Sequence, residues 1–240
     1  MPRAVLCLPT YNERENLEAM IEALGVVLDT ATDRVLVIDD GSPDGTGDIA
    51  NRLAEERPWM SVLHRSAKEG IGPAYVAGFR WALAEGAELV LEMDCDFSHD
   101  PADVPRLIEA TADADLVLGS RYAPGGGTAN WGLARRIVSR GGCLYAQVIL
   151  GLRIRDLTGG FKCFRRAALE AIDLSALSAH GYAFQIETTY RISRAGLCVR
   201  EVPITFVERR AGASKMTGSI VAEAMWRVPL LRLRALTGKL

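Results

Sequence analysis

The chain has 240 residues and a mass of 26.0 kDa, with 49% hydrophobic and 24% charged residues, 23 Gly and 10 Pro. These fractions exclude a disordered, collagen-like or disulfide-scaffold chain and suit one globular domain. The formal net charge of −2 conceals an asymmetry: residues 1–120 carry 9 Lys and Arg against 23 Asp and Glu, and residues 121–240 carry 19 against 7. An acidic pocket invites a divalent metal, whereas a basic one invites phosphate or an anionic membrane surface. Nucleic acid is a poor partner, because the acidic half repels it and no recognised binding motif occurs.

Short apolar runs alternate with helical patterns through the first half. Strands are predicted at Ala4–Leu8, Val35–Ile38, Ser61–Leu63, Leu89–Met93 and Leu116–Leu118. Helices are predicted near Asn16–Leu28, Thr46–Glu56, Pro73–Glu85 and Pro101–Ala112. This rhythm implies βα crossovers and a mostly parallel sheet flanked by helices. Leu17, Met20, Ile21 and Leu24 follow the spacing of a single buried helix face. Beyond residue 121 a Gly-rich loop at 124–127 precedes a long helix near Leu133–Leu150. A strand near Phe161–Phe164, helices near Ala167–Ile172 and Phe184–Ala195, and a strand near Val199–Val207 follow.

At the C-terminus, Ile220, Val221, Ala224, Met225 and Val228 recur at helical spacing up to Pro229, and Leu230 to Leu236 interleave with Arg and Lys. With Trp226 among them, they fit a helix lying on a membrane, or one docked on the core or a partner subunit. No repeat and no linker divides the chain. The simplest organisation is one domain over 1–215, with a nucleotide and metal half (1–120) and an acceptor half (121–215), followed by an amphipathic interfacial helix at 216–240. Five cysteines without a CxxC pair point to reduced cytosolic thiols rather than a zinc site or disulfides. The apolar start is too short for a signal peptide, and no run of about 18 apolar residues could span a bilayer.

Asp94-Cys95-Asp96 follows the apolar run Leu89–Met93. On an extended backbone, residues two apart point the same way, so both carboxylates leave a strand end together, where ligands bind open α/β sheets. Such paired charges need a cation, and oxygen donors with room for substrate phosphates suit Mg²⁺ or Mn²⁺. Asp39-Asp40-Gly41-Ser42-Pro43-Asp44-Gly45 ends a second strand, and Pro9-Thr10-Tyr11-Asn12-Glu13 ends the first. An acidic residue there can accept hydrogen bonds from a base or ribose. Neither a GxGxxG turn nor a P-loop is present, so diphosphate recognition falls to a metal and to cations. Candidates are Arg121, Arg135, Arg136 and Arg140, then Arg209, Arg210 and Lys215.

Taken in order, these motifs resemble one family. To them belong Gly119-Ser120-Arg121-Tyr122, Ser139-Arg140-Gly141, Asp156-Leu157-Thr158-Gly159-Gly160-Phe161 and Gly212-Ala213-Ser214-Lys215. The series, covering nearly the whole chain, is similar to the polyprenol-phosphate mannosyltransferases, the dolichyl-phosphate mannose synthase family of inverting GT-A glycosyltransferases. The resemblance implies transfer of mannose from GDP-mannose to a polyprenyl phosphate at the cytoplasmic membrane face. It implies a nucleotide pocket of Pro9, Tyr11, Glu13, Ile38, Asp40, Asp94, Cys95 and Asp96, and a metal held chiefly by Asp96, with Asp94 and Ser98. Arg121, Arg135, Arg209 and Lys215 would hold the donor diphosphate and acceptor phosphate, so Asp94, Asp96 and Arg121 form the implied catalytic set.

Some relatives carry Gln where Ser98 stands, and Ala is common where Cys95 stands. Many append transmembrane helices that are absent here, implying peripheral attachment or a membrane-protein partner. His99 lies nearest the acidic pair and fits an orienting role; Asp156 and Glu187 are further carboxylates to place near the acceptor. Two other readings are a polyprenyl-phosphate transferase using another sugar nucleotide, such as UDP-glucose, and a non-catalytic nucleotide-binding subunit.

Overall fold

The computed structural model describes residues 1–177, 181–209, 218–238 and 240, with the backbone alone at 182 and 218–222. In chain order the first half holds β1 (Ala4–Thr10), α1 (Leu17–Val27), β2 (Asp33–Asp39), α2 (Thr46–Glu56), β3 (Met60–His64), α3 (Ile71–Ala84), β4 (Leu89–Glu92), α4 (Val104–Ala110) and β5 (Leu116–Ser120). The second half holds β6 (Gly127–Ala129), α5 (Leu133–Leu150), β7 (Lys162–Arg165), α6 (Arg166–Glu170), α7 (Gly181–Arg194), β8 (Val199–Pro203), β9 (Thr205–Val207) and α8 (Gly218–Leu236). The first-half elements match the expected ones to within a few residues at each end.

Seven strands form one sheet in the order β3-β2-β1-β4-β7-β5-β8, and β6 pairs with β9 in a small parallel ribbon. Within the large sheet only β7 runs antiparallel to its neighbours, β4 and β5. The sheet is therefore mostly parallel, as the alternation predicts. Parallel strands are covered on both faces, which is why they read as unbroken apolar runs. In β1, Val5 and Cys7 face one core layer with α3, α7 and α8, while Leu6 and Leu8 face the other with α1, α2 and α4. The α1 stripe of Leu17, Met20, Ile21 and Leu24 is buried as expected.

Three features depart from expectation. The stretch 199–207 is not one strand: β8 joins the large sheet, Ile204 turns the chain, and β9 pairs with the Gly-rich segment instead. Strand order also departs from chain order, because β7, from the second half, is inserted between two first-half strands. Finally, α8 runs through Pro229 and buries Val228 and Leu231 against the same core as α7. A proline removes one helix hydrogen bond at a cost of about 3 kcal/mol. Burying those two side chains contributes roughly 1.5–3 kcal/mol each, so docking outweighs the break. The described part of this helix thus docks on the core, one of the settings the sequence leaves open for it. No helix among the described residues is long and apolar enough to cross a membrane.

Glu92 of β4 and Lys162 of β7 face one another across the antiparallel rung, both fully buried. Burial pushes the Glu92 carboxyl up to about 7 and the Lys162 amine down to about 8, and each partner's charge opposes those shifts. The Lys162 Nζ donates to the Gln185 carbonyl of α7 at 2.9 Å, fixing that helix over the sheet beside the cavity.

Gly126 follows β5 where the chain folds back so tightly that a Cβ would lie 2.4 Å from the Ser120 carbonyl oxygen. Gly126→Ala should therefore cost about 2 kcal/mol or more, through backbone displacement. A urea midpoint unchanged from wild type would show that the loop relaxes freely.

Candidate active site

The carboxyl ends of β1, β2 and β4 carry the loops flagged in the sequence. After β1, Asn12 takes a left-handed φ of 56°, and its N–H donates to Ser42 Oγ at 3.0 Å. The Glu13 N–H donates to Thr46 Oγ1 at 3.0 Å, welding this turn to the one after β2. Within the second turn Asp39 accepts from Ser42 Oγ at 2.5 Å, and Asp44 accepts from Thr46 N–H and Oγ1 at 3.0 and 2.6 Å. Asp39 and Asp44 are thus turn formers. Asp40 instead pairs with Arg65 Nη1 at 2.6 Å; burial pushes its carboxyl up and Arg65 pulls it down. The Tyr11 ring lies under Lys68 Nζ at 4.2 Å. Ile38 is in the core with its Cδ1 against Gly78, so its side chain is taken up by packing.

The acidic pair sits where β4 stops, yet the reason differs from the strand alternation expected. The strand ends at Glu92, and residues 93–99 form an irregular loop. Asp96 Oδ1 accepts the Ser98 N–H at 3.0 Å, and its Oδ2 lies 3.4 Å from Arg209 Nη2. The Asp94 N–H donates to His99 Nδ1 at 3.3 Å. Both carboxylates reach the same cavity through this loop geometry. His99 is buried, and desolvation, the largest influence on it, lowers its pKa to about 4. Ser98 is buried, with its backbone oxygen taken by the Val207 N–H of β9.

Opposite the acidic pair stand the cations. Arg121 follows β5 and is 5% exposed. Its Nε and Nη2 donate to the two oxygens of Asp156 at 2.7 and 2.6 Å, and Nη2 also to Thr158 Oγ1 at 2.8 Å. Burial works against the Asp156 charge, but the guanidinium outweighs it and holds the carboxyl below its usual range. Asp156 is therefore the anchor of Arg121, a role its sequence position alone does not reveal. Arg135 lies over the Trp131 ring at 4.1 Å and pairs with Glu208 at 2.6 Å. Glu187 is likewise committed, within α7, to Arg191.

A cavity of about 360 Å³ brings together Pro9, Glu13, Asp94, Cys95, Asp96, Arg121, Arg135 and Arg209 of the expected site. Tyr11, Ile38, Asp40 and Ser98 are not on its wall, although Lys68, stacked on Tyr11, is. Lys215, with Arg210, Gly212 and Ser214, lies outside the described residues. Thr158, Gly159 and Gly160 also line the cavity, as does Gln185; these and Trp131 and Phe206 escaped notice as wall residues, since aromatic side chains in apolar surroundings carry no signal distinguishing a wall from a core. Among the described residues no three His, Cys, Asp or Glu gather into a metal cage. Two carboxylates with oxygen donors only fit a hard cation whose remaining ligands come from substrate phosphate and water.

A sheet whose carboxyl edge gathers two carboxylates and several arginines around one cavity is the architecture of a GT-A glycosyltransferase. The solved structures of glucosyl-3-phosphoglycerate synthase from Mycobacterium tuberculosis share this fold. One complex with Mn²⁺, UDP and glucosyl-3-phosphoglycerate superposes with a TM-score of 0.66 at 20% identity, covering 99% of this chain and 80% of that one. Another, with Mn²⁺, UDP-glucose and phosphoglyceric acid, gives 0.68 at 20% identity, covering 98% and 80%. The Glycosyl transferase family 2 model matches residues 5–173. The undecaprenyl-phosphate mannosyltransferase of Micrococcus luteus is 49% identical over 227 residues, 94% of this chain and 92% of that one. The polyprenol monophosphomannose synthase of Mycolicibacterium smegmatis is 47% identical over 228 residues, 94% and 85%. The chain belongs to glycosyl transferase family 2 and, within it, to the polyprenol-phosphate mannosyltransferase family.

Replacing Asp156 leaves the Arg121 charge buried without its counterion, and losing one partner of a buried pair costs about 3–5 kcal/mol. Asp156→Asn, nearly isosteric, should lower unfolding stability by that amount in urea titrations. A midpoint within experimental error of wild type would mean that other groups neutralise Arg121.

Proposed function

We propose that this enzyme transfers mannose from GDP-mannose to a polyprenyl phosphate with inversion at the anomeric carbon, aided by Mg²⁺ or Mn²⁺. The observation that carries this reading is the single cavity with Asp94 and Asp96 facing Arg121, Arg135 and Arg209. The names of the two bacterial relatives support the acceptor class, and the Mn²⁺ in the glucosyl-3-phosphoglycerate synthase complexes supports a metal. Asp94 and Asp96 would hold the cation, which when bound offsets the charge of the departing diphosphate. Tyr11, Glu13 and Asp40 would receive the nucleoside, with Tyr11 and Lys68 as a shelf.

The acceptor nucleophile is a phosphate monoester oxygen. Its second pKa lies near 6, so it is largely dianionic at neutral pH and needs no general base. A phosphate oxygen forms the new bond to the anomeric carbon as the bond to the GDP oxygen breaks on the opposite face and GDP leaves with the electron pair. The protein's work is positioning and charge stabilisation. Asp156 and Thr158 occupy the Nε and Nη2 side of Arg121, which leaves Nη1 for phosphate. Arg135 and Arg209 exchange their carboxylate partners for phosphate oxygens, and Lys215 adds a further charge.

An apolar groove of about 70 Å³ between α5 and α8 shares Trp131, Arg135 and Thr158 with the cavity and is otherwise lined by residues such as Val138, Tyr145, Ile186 and Met225. It suits the first isoprene units of an acceptor whose phosphate lies among the arginines. Beyond it, Leu133, Ile137, Leu144 and Val148 of α5 and Met225, Trp226, Leu233 and Leu236 of α8 are exposed. Apolar side chains beside Arg136, Arg140 and Arg234 suit the anionic, cytoplasmic face of a membrane, with or without a membrane-protein partner.

Incubation with GDP-[¹⁴C]mannose and polyprenyl phosphate should move label into the organic phase, and UDP-glucose should not replace the donor. Asp96→Ala should lower that turnover at least about 100-fold with its unfolding midpoint intact, as should excess chelator on the wild type. Full activity in either case removes the metal role.

The quadruple variant Leu144→Ser, Val148→Ser, Trp226→Ala, Leu233→Ser alters exposed positions only. Each buried apolar side chain is worth roughly 1.5–3 kcal/mol, so partition onto anionic vesicles should weaken at least about tenfold. Undiminished flotation with such vesicles would show that these helices do not meet the lipid.

A further inference from the structure

The loop carrying the acidic pair is held in a conformation that it would not keep by itself. Phe97, directly after Asp96, has a φ of 60°, in the left-handed region that a bulky side chain rarely adopts. Such strain costs on the order of 1–3 kcal/mol and persists only where the surroundings over-determine it. One restraint is internal, the Ser98 N–H donated to Asp96 Oδ1. The other is His99. Its Nδ1 accepts the Asp94 N–H, closing the loop at its first residue. Its ring is 1% exposed, stacked on Phe161 at 5.0 Å and 28°, and met edge-on by Phe206 at 5.2 Å and 86°. Phe206 in turn packs edge-on against Trp131 at 5.2 Å, and Trp131 carries Arg135. A row of rings therefore runs from the acidic loop to the arginines across the cavity.

We propose that His99 is a positioning residue for the acidic pair: its ring is locked by Phe161 and Phe206, and its Nδ1 holds the Asp94 backbone so that both carboxylates face the cavity. With Nδ1 accepting, the ring proton resides on Nε2. His99 lies on the cavity wall, but its hydrogen bond goes to the loop's backbone, and it acts through Asp94. A ring kept only for packing would do as well without nitrogen, whereas a ring kept for its acceptor would not.

This proposal rests on the metal reading above, and two substitutions separate it from that reading. His99→Phe keeps the ring and loses the acceptor; His99→Asn keeps an acceptor oxygen near the Nδ1 position and loses most of the ring. Exchange of the Asp94 amide, followed by NMR, tests the bond itself: protection should fall in His99→Phe and persist in His99→Asn. Mn²⁺ titration in the presence of GDP, read by the electron paramagnetic resonance of free Mn²⁺, tests the consequence. His99→Phe should bind Mn²⁺ at least about tenfold more weakly, and His99→Asn close to wild type despite a lower unfolding midpoint.

Wild-type Mn²⁺ affinity and Asp94 protection in His99→Phe would overturn the proposal. So would loss of Mn²⁺ affinity in both variants in step with their loss of stability. If His99→Phe does not fold, His99→Asn decides alone, and unprotected Asp94 there is the overturning result. Wild-type protein that binds no Mn²⁺ with GDP would refute the metal reading, and the amide exchange would still judge His99.

Discussion

The cavity depends on the bidentate pair between Arg121 and Asp156. Arg121 follows β5 and Asp156 precedes β7, so the pair ties together two segments 35 residues apart in the chain. The Arg121 backbone N–H also donates to Asp156, at 2.9 Å, which fixes the main chain as well as the side chain. A guanidinium this buried stays charged, at a desolvation cost of several kcal/mol if uncompensated. Asp156 offsets that cost, and with Thr158 it takes up Nε and Nη2. The same carboxylate sets the start of the Thr158-Gly159-Gly160 segment, which lines the cavity before the chain enters β7.

Insertion of β7 is the topological counterpart of that pair. Running antiparallel between β4 and β5, it brings a loop of the basic half to the strand end bearing the acidic pair. The charge asymmetry along the chain thereby becomes an opposition across a cavity a few ångströms wide. Each of its arginines has a carboxylate partner: Arg121 with Asp156, Arg135 with Glu208, Arg209 with Asp96. These pairs are not equivalent. Asp156 is fully buried and accepts three N–H donors of Arg121, whereas Glu208 is partly exposed and the Arg209–Asp96 contact is longer. On the proposed function, a phosphate would compete poorly with the first pair and well with the other two, making Arg121 the fixed element of the site and Arg135 and Arg209 its exchangeable ones.

How much of this was legible follows from what each residue's environment does to its pattern. Strands covered on both faces leave apolar runs, so β1, β2, β4 and β5 were readable; Asp94 and Asp96 stood out as paired carboxylates at the end of such a run, although Asp39 and Asp44 in a like position are turn formers. The direction of β7 was not, since a four-residue strand, Lys162–Arg165, carries no signal of which way it runs. Ile38 illustrates a limit of motif reasoning: its place in the strand-end motif is real, yet its side chain belongs to the core beside Gly78. The split of 199–207 into β8 and β9 turns on Ile204 and on pairing with Gly127–Ala129, a non-local contact invisible to periodicity. Partners of charged residues are equally non-local, so the sequence marks Arg121 as a cation and cannot name Asp156 as its counterion.

The exposed faces of α5 and α8 belong to the same physical problem as the cavity. A polyprenyl chain is too apolar to leave a bilayer for a water-filled cleft, so its phosphate can be reached only if the cleft opens at the membrane surface. The groove between the two helices joins the cavity at Trp131, Arg135 and Thr158, beside the arginine that is partly exposed and exchangeable. Helices that bury one face in the core through Cys143, Ala146, Val228 and Leu231 still present Leu144, Val148, Trp226 and Leu233 outward. In water that outer face would be a liability, since large apolar patches rarely remain uncovered. On the proposed function, lipid would cover that face and bring the cleft to the depth at which the acceptor phosphate sits. Docking and catalysis would then share one pair of helices, with the polar end of the substrate marking where one gives way to the other.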